Sequence, residues 1–230
     1  ATITNSSAAG NVTLTVTGTS TYDGVITDGN ADGRRINLAV NGGNLTLSGT
    51  NTHTGTTTVT NGTLRVNGRI SFSPTTVNTG GTLGGSGVIG SAVTVDSGGT
   101  LAAGNSIGTL TINGAATING TIIAEITNGP STDKLVFSGG AQLGGTLTVT
   151  SLGTLSNGDT FDLFDGALTG AFSTLNLPGG TGHWNTGDLY AGGTVAFTNA
   201  APVAPNITNG VAVGGTIQTA VVGKIGRAHV

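Results

Sequence analysis

The tripeptide Gly-Thr-Leu recurs along this chain at Gly62, Gly81, Gly99, Gly108, Gly145 and Gly153, with variants Gly43-Asn44-Leu45, Gly120-Thr121-Ile122 and Gly193-Thr194-Val195. From Gly43 through Gly62 and Gly81 to Gly99 the steps are 19, 19 and 18 residues. A near-constant period of about 20 is the mark of a fold that stacks one short unit on the next. Around each triplet apolar and polar residues alternate: Val12, Leu14 and Val16; Leu45 and Leu47; Leu64 and Val66; Val93 and Val95; Leu110 and Ile112; Ile122, Ala124 and Ile126; Leu147 and Val149. A period of two defines strands with one buried face, and helical spacing is nowhere sustained.

Composition narrows the choice further. The 230 residues include 43 Gly and 43 Thr, but only 17 formally charged side chains, where an average chain has about 7% Gly and about 25% charged residues. Long amphipathic helices need a charged face and an interior free of Gly, so they are excluded. Collagen would place Gly at every third position, which this chain does not. Disorder does not fit a sequence that is 36% hydrophobic. Seven basic residues and a net charge of −3 leave little to grip a nucleic-acid backbone. With no Cys there is no disulfide framework and no thiolate site.

The expected architecture is therefore all-β, a parallel β-helix (β-solenoid) whose coils lie about 4.8 Å apart. Roughly seven or eight coils would fill residues 1–152 in a rod of about 35 Å. Inward Leu, Ile and Val form the core, outward Thr and Asn form polar ladders, and the glycines are expected to accept tight turns, often at positive φ. The aromatics gather after Gly153, at Phe161, Phe164, Phe172, Trp184, Tyr190 and Phe197. Residues 153–199 thus read as a C-terminal β cap that keeps the last coil from exposing an open edge. Residues 200–209 carry Pro202 and Pro205 and read as a linker. Residues 210–223 read as the truncated start of a further β-domain and resemble the opening of a bacterial cadherin-like or immunoglobulin-like repeat. Residues 224–230 read as a sequencing adapter translated in frame and stand outside the fold reasoning. An opening without Met or a leader reads as an interior piece of something longer.

Residues 44–66, NLTLSGTNTHTGTTTVTNGTLRV, resemble the autotransporter-associated β-strand repeat of bacterial passenger domains. That family usually carries an aromatic where this chain has His53 and Gly where it has Thr56. Leu14 to Ile26, and Leu101 to Gly114 (LAAGNSIGTLTING), resemble further segments of such proteins, as do Lys134 to Phe172 and Trp184 to Tyr190. The resemblance covers most of residues 1–199. It implies a right-handed β-helix, secreted or surface-exposed on a Gram-negative-type bacterium, serving as a stalk or adhesin-like module. It supplies no catalytic residues.

Several motifs invite chemistry. Gly104-Asn105-Ser106-Ile107-Gly108 has the spacing of a nucleophile elbow, but the strand-like Thr109-Leu110-Thr111-Ile112 follows where a helix is required. Gly85-Ser86-Gly87-Val88-Ile89-Gly90 matches a dinucleotide fingerprint and lacks its βαβ unit in the same way. Asp28, Asn30 and Asp32 precede Gly33 at the spacing of a calcium loop, so they are candidate calcium ligands. Ala39 stands where the bidentate Glu belongs, and Arg34 and Arg35 bring positive charge, which favours a solvated loop with Asp-to-Arg pairing. No other cofactor is expected. Asp159, Asp162 and Asp165 are three apart, which on one extended strand puts neighbours on opposite faces, so they read as turn and edge residues and not as a catalytic pair or metal cluster. His53 and His183 lack second ligands at useful spacing. Trp184 and Tyr190 are candidate carbohydrate-stacking residues, or else part of a cap core.

The function expected from all this is non-enzymatic: a rigid structural or adhesin-like β-helix stalk belonging to a longer multidomain chain. Its partners would be surface glycans or other cell-surface proteins, not nucleic acid, and this segment would not span a membrane. The alternative is a β-helix that binds or degrades polysaccharide, for which the chain offers one Glu, Glu125, with Arg65 and Arg69.

Overall fold

The computed structural model describes residues 1–199 apart from 8–9, 30–32, 130 and 180–181, together with the backbone of 207–208 and 211–212. Of the expected linker, further domain and adapter segment, only the two short strands Ile207–Thr208 and Val211–Ala212 are described, paired antiparallel. The rest lies outside the described residues.

The described chain is all-β and winds as a β-solenoid. Each coil contributes one strand to each of three stacked, parallel rows. The first row runs from Val12–Val16 through Ile36–Asn41, Thr57–Thr60, Thr75–Val77 and Val93–Val95 to Ala116–Ile118. The second has eight strands, from Thr19–Tyr22 through Asn44–Leu47, Thr63–Val66, Thr82–Gly85, Thr100–Ala103, Thr121–Ile126 and Thr146–Ser151 to Thr174–Asn176. The third holds the short strands Thr50–Asn51, Arg69–Ile70, Val88–Ile89 and Thr109–Ile112. The long strand Lys134–Leu143 turns a corner and serves two rows. Leu135 and Phe137 face in on one side of Ser138 and Gly139, and Ala141 and Leu143 face in on the other.

Register explains the triplet. In the second row Thr19, Asn44, Thr63, Thr82, Thr100, Thr121, Thr146 and Thr174 stack directly above one another. The next residues form a column of Ser20, Leu45, Leu64, Leu83, Leu101, Ile122, Leu147 and Leu175. Six of these, Leu45 through Leu147, are buried. On the first row Thr58, Thr76, Thr94 and Thr117 stack facing outward, while Val40, Val59, Val77, Val95 and Ile118 stack inward. Some outward columns are hydrogen-bonded, as in Asn78 Nδ2 donating to Thr60 Oγ1 at 2.9 Å.

Except at Gly145 and Gly193, the triplet glycines are not the positive-φ residues. That conformation falls one position earlier, at Gly42, Asn61, Gly80 and Gly98, and Asn is the non-Gly residue that tolerates it best. The triplet glycines are required by close approach: a Cβ on Gly43 would lie 2.5 Å from the Gly18 carbonyl oxygen, and one on Gly99 2.6 Å from that of Val77. The same carbonyls carry the ladder, with Asn44 N–H donating to Gly18 O at 3.1 Å and Asp96 N–H to Val77 O at 2.9 Å. Coils can stack this tightly only where no side chain intervenes.

Two ends depart from the pattern. Val12, Leu14 and Val16, read as core, are only half-buried, because their strand is the edge of the first row. At the other end parallel pairing does not stop near residue 153. Phe164–Gly170 pairs with Lys134–Leu143, and Thr174–Asn176 pairs with Thr146–Ser151. Interleaved with these strands is a three-stranded antiparallel sheet of Thr160–Asp162, Thr194–Thr198 and His183–Asn185.

Candidate functional site

The polar side chains inside the solenoid gather at one corner of successive coils. Asn51, His53, Thr57, Ser73 and Thr75 are all essentially without solvent exposure. Asn51 Oδ1 accepts from the Ile26 N–H of the coil before, and its Nδ2 donates to Gly49 and Arg69 carbonyls. The Ser73 hydroxyl donates to Gly55 O at 2.6 Å. Thr57 Oγ1 lies 2.7 Å from Ser73 Oγ, and His53 Nε2 lies 3.0 Å from Thr57 Oγ1. A hydroxyl has one proton to give. Since Ser73 gives its proton to Gly55, Thr57 must donate to Ser73, and His53 Nε2–H must donate to Thr57. His53 Nδ1 then carries a lone pair, buried and without a partner.

Asp28 closes the cluster on the outside. Its Oδ1 accepts from Ile36 N–H at 2.8 Å, and its Oδ2 accepts from the N–H and hydroxyl of Thr54 at 2.9 and 2.6 Å. Burial pushes this carboxyl up, but the Thr54 hydroxyl, the two N–H donors and nearby His53 together hold it below the ordinary carboxylate range. Burial also dominates at His53 and lowers its pKa, against the attraction of Asp28 and a backbone hydrogen bond to Ile26. As for the calcium candidates, both Asp28 oxygens are spent on protein donors, and Asn30 and Asp32 lie outside the described residues. The neighbouring Arg34 guanidinium donates to the Ser7 carbonyl.

A second buried carboxylate, Asp133, was not legible as special. It accepts from Gly108 N–H and Glu125 N–H, each at 2.9 Å. Burial outweighs these bonds and raises its pKa to about 6. Gly108 closes the loop that resembled a nucleophile elbow, and the loop returns directly to the strand Thr109–Ile112. The dinucleotide-like glycines likewise lie in and between the strands Thr82–Gly85 and Val88–Ile89. Glu125 and Arg65 both sit on the second row but three coils apart, and Arg69 is on the third row.

Of the three aspartates after residue 158, Asp159 is a turn residue as expected, and only the opposite-face placement of Asp162 and Asp165 needs a correction. Asp162 and Asp165 do not point apart: Lys134 Nζ joins them at 2.6 and 2.8 Å. The chain leaves the antiparallel sheet at Asp162 and enters the parallel row at Phe164, so no single strand carries both residues. Hydrogen bonding to Asp162, then Asp165, raises the Lys134 pKa and so favours its charged form. Asp159 instead caps its own turn, accepting from Ser156 N–H at 2.7 Å.

Trp184 and Tyr190 belong to two aromatic chains. Trp184 packs on Phe161 and Phe197, and Tyr190 on Phe172, which leads through Phe164 to Phe137. Their polar atoms are used internally, Trp184 Nε1 donating to Pro178 O and Tyr190 Oη accepting from Phe172 N–H. His183, beside them, is exposed. No group of three metal-ligating side chains occurs among the described residues, and no helix there is long and apolar enough to cross a membrane.

Comparison of the sequence with protein-family models finds no match, and none of the curated proteins matches it.

Proposed function

We propose that this chain is a non-enzymatic structural module of an extracellular protein: a β-solenoid stalk, adhesin-like in surface, of the autotransporter type. On this reading it is secreted or held at the surface of a Gram-negative-type bacterium. The observation that carries it is the unbroken register of the second row, where Thr lies over Thr and Leu over Leu through successive coils. Such a rod derives its stability from nearest-neighbour stacking, so it can grow coil by coil as chain emerges on the far side of a membrane. Its low charge leaves it little attraction to an anionic cell surface. The antiparallel sheet and aromatic chains after residue 158 act, in this reading, as the terminal cap.

The test is display and turnover together. Fused to an outer-membrane anchor in a Gram-negative host, residues 1–199 are expected to be reached by external protease as a resistant core, and the purified chain to release no product from a polysaccharide panel. Polysaccharide cleavage abolished by Glu125→Gln would overturn the reading. Retention on glycans lost in a folded Trp184→Ala, Tyr190→Ala double variant would replace the stalk with a binding module.

A further inference from the structure

We infer that His53 is an acid-sensitive latch: a proton arriving at its buried Nδ1 opens the stack between residues 26 and 77 while the later coils stay closed. The hydrogen-bond chain fixes where that proton must go. Nε2 already donates through Thr57 and Ser73 to the Gly55 carbonyl, so Nδ1 is the only free position on the ring. Once protonated it puts a positive charge on a side chain with no solvent exposure, and the one carbonyl beside the ring, Ile26 O, already accepts from the Thr52 and His53 N–H groups, so it offsets that burial only in part. Relief requires the ring to leave the corner. The His53 N–H to Ile26 O bond and the Ser73 and Thr57 contacts tie that corner to the coils before and after it.

The groups around the ring are already engaged with other donors. From the preceding coil come Ile26 and Asp28, from its own corner Asn51 and Thr57, and from the following coil Ser73 and Thr75. Asp28 alone is charged. It attracts the proton, but its carboxylate already accepts three hydrogen bonds and makes none to the ring. The sign follows from the lowered pKa. A His held neutral by the fold contributes stability that is complete above its ordinary value of 6.5 and is lost as the pH falls below it. Asp28, held below the carboxylate range, titrates outside this window. Asp133 has the opposite sign and belongs to a later coil.

Amide hydrogen exchange of the full chain between pH 7 and pH 5, corrected for intrinsic rates, tests the latch alongside His53→Phe and His53→Gln. The wild type is expected to open residues 26–77 about tenfold more for each unit below 6.5, until the folded-state value is reached. The Gln variant keeps a donor to Thr57 and cannot titrate, so it stays flat even if the Phe variant fails to fold. NMR titration of the His53 ring gives a second readout. An equal acid slope in His53→Gln, or a His53 ring titrating at or above 6.5, would overturn the latch.

Discussion

The coils between Gly43 and Gly120 and those flanking them solve the same stacking problem by different means. In the middle, successive second-row strands are 19, 19, 18 and 21 residues apart, and backbone ladders with like side chains meet nearly every requirement. At the flanks the spacing rises to 25 before Asn44 and to 25 and 28 after Thr121. The extra residues bulge at a corner, and side chains take over there. Asp28 and Asp133 collect N–H groups around the longer excursions, Lys134 bridges Asp162 and Asp165, and the aromatics cluster at the far end. Carboxylates that hold backbone N–H groups or a lysine enter this fold where the period breaks.

The largest expected effect breaks the comparison at its centre. Gly62→Val puts a branched side chain against the Gly43 backbone and is expected to cost at least about 3 kcal/mol or to prevent folding. Gly18→Ala, at the same register position but with nothing within 4 Å of an added Cβ, should change stability by less than about 0.5 kcal/mol. Urea midpoints of the two variants check this directly. Next in size is the Leu column. Leu83→Ala, fully buried, is expected to cost about 2–5 kcal/mol. Leu175→Ala, at the 36% exposed end of the same column, should cost under about 1 kcal/mol.

The flanking carboxylates sharpen the contrast through pH. Asp133, raised to about 6 from 3.8, contributes stability present below about pH 4 and lost as the pH rises through 6, on the order of 2–3 kcal/mol. Asp28 has the reverse sign: its contribution is present above 3.8 and lost as the pH falls through its lower folded value. Urea titrations of Asp133→Asn against wild type between pH 4 and pH 7 should therefore differ in slope. The smallest effect is at Lys134. Lys134→Ala should cost no more than about 1 kcal/mol, and the loss should shrink in high salt, because its carboxylate partners are half exposed.

Legibility in the sequence follows the same division. The stacked columns of Gly43 to Gly120 were readable because coil-to-coil contact needs one residue type at one position, and repetition displays that need. The role of the triplet glycines was readable only in part. Tight turns and close approach both select Gly, and register alone shows that the carbonyl beneath Gly43 decides. His53 carried no signal of burial, since its partners Thr57 and Ser73 look like ordinary surface residues in a Thr-rich chain. Asp162 and Asp165 were misread because a break at Leu163, invisible to residue spacing, moves the chain from one sheet to another.

Crosslinking in this cysteine-free chain tests the stacked register most directly. Thr82 and Thr100 are 18 residues apart and paired, whereas Thr82 and Thr94 are 12 apart and lie on different rows. Mild oxidation should join cysteines placed at 82 and 100 within one molecule, since paired strands lie about 4.8 Å apart, and should leave those at 82 and 94 free. Ready closure of the 82–94 pair with none between 82 and 100 would contradict the solenoid.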